Sequence, residues 1–189
     1  MPFQTKFYCH QLLIILLLSI GPATGGENNH FKLIAVEDGD TIKVQVGTEE
    51  KRLQLSGIDA PEDVVNPKLS KDIARTGLSN EALLELGKAA TEHLMQLISP
   101  GENLRIEGDL NSSDKYGRIP IQVYKESDPS LNEQMVTDGY AVVLGRAVLP
   151  EAVKSQLVKS QQQAQAEQKG LWGTHPAHTL LWSGQAPAH

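Results

Sequence analysis

Residues 38–62 read DGDTIKVQVGTEEKRLQLSGIDAPE, and the fold is decided there. Asp38-Gly39-Asp40 is a turn signal. Thr41 to Val46 then alternates apolar and polar residues with period two, as a half-buried strand does. Gly47 to Glu50 makes a second turn, and Arg52 to Ile58 a further strand. Just upstream, Phe31 to Val36 is a short apolar-rich stretch. Three strands joined by tight turns form a meander.

Residues 59–80 contain two prolines and many polar side chains and are expected to form a long exposed loop. Ser79 or Asn80 caps a helix over Glu81 to Ile98, whose apolar positions include Leu83, Leu84, Ala90, Leu94 and Ile98. Pro100-Gly101 stops it. Leu104 to Ile106 begins a fourth strand and Ile119 to Tyr124 a fifth. Residues 131–138 and 150–169 read as two more helices. Five strands and three helices predict an α+β fold, a small antiparallel barrel with helices on one side. Residues 173–189, with Pro, Gly, Ala and three histidines, read as a loosely attached tail. His175 and His178 lie three apart, but no partner defines a zinc site around them.

At 189 residues, the chain has the length of one domain. Its 40% hydrophobic and 21% charged composition excludes collagen, coiled coil and a wholly disordered chain. The net charge of -6 argues against a generic basic nucleic-acid coat, while leaving room for a local cationic site. Cys9 stands alone, which excludes an intrachain disulfide and a cysteine-based zinc site. Residues 1–25 carry Lys6, then an apolar run from Leu12 to Ile20, then Gly21, Ala23 and Gly25. That is the form of a secretory signal peptide, with an uncleaved anchor as the alternative, so a secreted or periplasmic protein with its domain over 26–172 is expected. No membrane association is expected once the segment is removed.

Two groups of residues carry chemistry. Asp40 starts one strand and Asp59 ends another, so a meander brings them close. Converging carboxylates and backbone carbonyls suit a hard cation, calcium or magnesium. A third acid, Glu62, would then orient or deprotonate a metal-bound water. Read alone, Asp-Gly-Asp is also a common turn and Asp-Ala-Pro-Glu an ordinary strand exit. The second group is Asp114-Lys115-Tyr116-Gly117-Arg118, a polar turn or a phosphate clamp built on the planar guanidinium of Arg118.

DGDTIKV (38–44), GIDAPE (57–62), DKYGR (114–118), NEQMVTDGYA (132–141) and KGLW (169–172) occur in this order, and together they closely resemble the staphylococcal nuclease family. The resemblance spans residues 31–172. It implies an OB-fold barrel with three helices and a secreted, monomeric, calcium-dependent phosphodiesterase acting on DNA and RNA. It further implies that Asp40, Asp59 and the Ala60 carbonyl bind calcium. Glu62 would activate water, Arg118 would stabilise the phosphorane, and Lys115 and Tyr116 would contact substrate.

The sequence departs from the family in two places. The family's second catalytic arginine falls at Gln54. Arg52, two residues earlier, shares its strand parity and is a substrate-binding candidate, although we read it as a surface residue rather than a replacement. Base-stacking aromatics of the family fall near Gly145 and Ala147, where Arg146 offers only a phosphate contact. A slowed nuclease is the first reading, and a catalytically weakened nucleic-acid-binding module the alternative. An envelope interaction module fits less well, because Asp40, Asp59, Glu62 and Arg118 are all intact.

Overall fold

The computed structural model describes Met1, residues 29–127 and residues 129–185. Apart from Met1, the expected export segment lies outside the described residues. Among the described residues no helix is long and apolar enough to cross a membrane.

Five strands close into a barrel: β1 (His30–Val36), β2 (Thr41–Val46), β3 (Glu49–Leu55), β5 (Asn103–Glu107) and β6 (Arg118–Tyr124). Their order around it is β1-β2-β3-β6-β5. The strands alternate as their sequence requires. Ile42, Val44, Leu53, Leu55, Leu104, Ile119, Ile121 and Val123 are buried inside, so Arg52, Gln54 and Arg118 stand on the outer face.

The first three strands form the expected antiparallel meander, but two features differ from the expected antiparallel barrel of five continuous strands. First, β3 and β6 run parallel, with Arg52 beside Arg118 and Gln54 beside Pro120. The chain between them carries two helices and β5, a crossover long enough to return in the same direction. Closure in this way leaves the barrel itself without an open edge. Second, the third strand is not continuous to Ile58. It ends at Leu55, the chain turns at Ser56-Gly57, and β4 (Ile58–Asp59) pairs outside the barrel with β7 (Val142–Val143).

Among the described residues, five helices longer than one turn, and a single turn, stand where three helices were expected. They are α1 (Pro67–Thr76), α2 (Asn80–Leu97), α3 (Leu131–Thr137), α4 (Glu151–Ala166), the single turn α5 (Leu171–Thr174) and α6 (Pro176–Ser183). The stretch expected as a long loop therefore contains α1. Its start and stop signals are local: Asn66 caps it by accepting from the amides of Lys68 and Leu69, Pro67 fills the first position, and Gly77 ends it in the left-handed region. Hydrogen bonding at both ends outweighs the polar composition that favoured a loop. Ser79 caps α2 through the Ala82 amide, and Ser130 caps α3 through the Glu133 amide.

The stretch expected as a loose tail is also folded through Gln185. Trp182 of α6 is 3% exposed and packs with Leu69 of α1, Leu83 and Leu86 of α2, and Trp172 in a second core outside the barrel. Arg75 of α1 donates to the Trp182 carbonyl at 2.7 Å. An apolar pattern carried by an eight-residue helix is too short to stand out against the surrounding Pro, Gly and His.

Candidate active site

The acidic groups gather where β2 begins and β4 ends. Gly39 and Gly87 make this approach feasible. A Cβ at Gly39 would lie 2.8 Å from both Ala60 Cβ and Ala90 Cβ, and one at Gly87 would collide with the Glu62 carbonyl. α2 thus lies flat against both acid-bearing loops. Thr91, one turn beyond Gly87, donates to Asp63 at 2.8 Å and fixes the residue after Glu62.

Asp40 is 5% exposed. Its Oδ2 accepts from the Ala60 amide at 3.2 Å, and its Oδ1 from the Thr41 hydroxyl at 2.9 Å. Asp38 accepts from the Asp40 amide at 3.0 Å, which shapes the turn. Asp59, the Ala60 carbonyl and Glu62 converge on one point, and that point is the Lys68 ammonium. Its Nζ lies 3.3 Å from Asp59 Oδ1, 2.8 Å from Glu62 Oε1 and 3.1 Å from Ala60 O. Asp72, one turn along α1, lies 3.7 Å from it. The other Glu62 oxygen, Oε2, accepts from the Asn66 side chain.

Burial is the main reason Asp40 is held well above the usual carboxylate range, and the charges of Asp38 and Asp59 add to it. Asp59 is raised by burial, partly offset by Lys68. Asp38 is raised by burial as well. Burial opposes the charge on Lys68, but Asp59, Glu62 and Asp40 outweigh it and hold the ammonium above the ordinary lysine range. The pocket is therefore a surplus of desolvated carboxylate drawn around one cation.

The second group is built by Asp114. Its Oδ1 accepts the amides of Tyr116 and Arg118, and its Oδ2 accepts Nε and Nη2 of Arg118 at 3.1 and 3.0 Å. Burial would raise Asp114, but these bonds from Arg118 and Tyr116 prevail and hold it below the usual range. The guanidinium of Arg118 and the ammonium of Lys115 lie 5.5 and 5.0 Å from the centre of the exposed Tyr116 ring.

Strand β3 links the two groups. Arg52 sits beside Arg118 across the parallel pairing and is committed elsewhere: its Nε pairs with Glu37 at 2.6 Å, and its Nη1 donates to the Tyr116 carbonyl at 3.4 Å. Gln54, two residues along the same face, reaches Asp40 Oδ2 at 3.5 Å. The structure thus brings Asp40, Asp59, Ala60 and Glu62 into one cluster, with Gln54 at its edge. It places Lys115, Tyr116, Arg118 and Arg52 together at the neighbouring turn. Sequence pattern alone does not single out Asn66, Lys68 and Asp72, because their polar stretch reads as a loop. The Asn-Pro start and the Gly77 stop were the available signal.

The barrel, the acid cluster at its strand ends and the arginine-bearing turn define an OB-fold α+β protein of nuclease-like architecture. Residues 52–174 match the family described as staphylococcal nuclease homologue, and the chain belongs to that family. It is 31% identical over 162 residues to endonuclease YhcR of Bacillus subtilis, covering 82% of this chain but only 12% of YhcR. An uncharacterized endonuclease of Escherichia coli is 29% identical over 158 residues, 81% of this chain and 84% of that protein. Thermonuclease of Staphylococcus hyicus is 27% identical over 143 residues, 75% of each chain.

Proposed function

We propose that this protein is an exported, monomeric, calcium-dependent nuclease that hydrolyses phosphodiester bonds of DNA and RNA, slowed by the neutral Gln54. The observation that carries this reading is the convergence of Asp59, the Ala60 carbonyl and Glu62 on one cationic point, with buried Asp40 bonded to the same loop. Among the described residues no three His, Cys, Asp or Glu side chains are grouped to hold a metal ion. The donors proposed for the cation are two carboxylates, Asp40 and Asp59, with the Ala60 carbonyl and water. All are hard oxygens of the kind calcium takes. The excess of partly buried carboxylates supports the same reading, since it already draws in an ammonium. A bound calcium ion would neutralise charge at the scissile phosphate and favour ionisation of water beside it.

The chain's own residues would do the remaining work. Glu62 would take a proton from the attacking water, once one of its oxygens is free of its present partners. Asp114 holds Arg118 by Nε and Nη2 and so leaves Nη1 to meet a phosphate oxygen. This fixes the guanidinium before substrate arrives, and such preorganised donors stabilise the charge that develops in the transition state. Lys115 and Tyr116 would contact the flanking phosphate and base. Arg52, held by Glu37, stays at the rim. In-line attack then depends on how well these groups are positioned.

The position of Gln54 beside Asp40 favours a second reading, a nucleic-acid-binding module with little or no catalysis. Cleavage of single-stranded DNA by the purified protein, with and without calcium, separates the two. Calcium-stimulated cleavage supports the nuclease. Salt-sensitive binding without cleavage supports the module.

A further inference from the structure

We propose that Lys68 is a residue of this site: its ammonium is a tethered internal cation that competes with calcium for the acid cluster and sets the calcium concentration at which the site fills. This rests on the cation reading above.

Three observations support it. The ammonium touches Asp59 Oδ1, Ala60 O and Glu62 Oε1, three of the four groups assigned to the cation and its water. An ammonium and a divalent ion drawn to the same oxygens cannot both be held there, so binding one lowers the affinity for the other. The lysine is also anchored. Its own amide donates to the Asn66 side chain at the start of α1, and that same side chain donates to Glu62 Oε2. Short tethering of this kind acts as a high local concentration of ligand. Finally, Lys68 lies in the first turn of α1, where the helix dipole disfavours a cation. Helix stability does not account for a lysine there, whereas the acid cluster does.

Displacement does not strand the charge. Asp72, on the same helix face, already lies 3.7 Å from Lys68 Nζ. A rotation of the lysine side chain toward Asp72 would open the cation position. It would also release Glu62 Oε1, so that filling of the site and freeing of the base occur together. Lys68 is thus a positioning residue that acts on the metal and on Glu62.

The test is calcium titration calorimetry of the wild-type chain, Lys68→Met and Lys68→Arg, without substrate. Lys68→Met should bind calcium about tenfold tighter or more, within the usual range of coupling between competing ligands. Lys68→Arg, which keeps a cation, should stay near wild type. A wild type too weak to measure beside a Lys68→Met variant that binds also supports the proposal. Equal affinities in wild type and Lys68→Met overturn the proposal while leaving the calcium reading intact. No binding to either chain overturns both. A second measurement on the wild-type sequence guards against a misfolded variant. Reductive methylation with carbon-13 formaldehyde labels the lysines and keeps their charge, and Lys68→Arg assigns the Lys68 signal. That signal should shift along the calcium binding curve. A signal that stays fixed while calcium binds overturns the displacement.

Discussion

Replacing Gln54 by arginine is the most direct test of the proposal that the neutral side chain slows phosphodiester cleavage. The amide of Gln54 lies 3.5 Å from Asp40 Oδ2, so this position faces the acid cluster from the outer wall of β3. A neutral amide offers a phosphate oxygen one uncharged bond, whereas a guanidinium offers two charge-assisted ones. Loss of one preorganised donor at comparable sites costs roughly 3–4 kcal/mol, or about 10²–10³ in rate. Not all of this would return, because misplacement by about 1 Å alone can cost 10²-fold. Gln54→Arg should therefore raise the initial rate on single-stranded DNA at saturating calcium by about tenfold or more. Arg52→Ala is the control. Arg52 is already occupied by Glu37 and by the Tyr116 carbonyl, so its loss should change the rate little in either background. If Arg52→Ala abolishes cleavage and Gln54→Arg adds nothing, Arg52 carries the role and position 54 on β3 does not face the scissile phosphate.

Glu62→Gln should lower the cleavage rate by about 10²-fold or more, the usual scale for a general base; full activity in that variant removes Glu62 from the mechanism. Asp40→Asn tests the electrostatic cost of the cluster. Because burial raises Asp40 in the folded chain, the stability linked to its protonation is complete below about pH 4 and is lost as pH rises through the raised value. In chelator, Asp40→Asn should then melt above wild type at pH 7, with the gap closing toward pH 4. A gap that does not change with pH contradicts the assignment. In excess calcium the order should reverse, since the variant loses a ligand. Trp182→Ala should cost about 3–5 kcal/mol in urea unfolding, as expected for a buried aromatic; a change under about 1 kcal/mol would mean that α6 adds little to the second core.

The barrel strands and α2 were legible in the sequence because each carries its own periodicity and its own punctuation. Ile42 and Val44 alternate with polar residues, and Ser79 and Pro100 bracket the long helix. The ordered motifs also point to the acids and the arginine turn, each set by a short local stretch of sequence. α1 left a readable signature in Asn66-Pro67 and Gly77, but its low apolar content hid it. Strand direction and the docking of α6 depend on contacts between residues far apart in the chain. No local pattern reveals that β6 returns parallel to β3, or that Trp182 completes a core with Leu69 and Leu86. The same holds at the site. The sequence determined which acids are present, from Asp40 through Glu62. That α1 turns Lys68 into their midst is a tertiary matter, because partly buried carboxylates draw a counter-charge from wherever in the chain one can reach them.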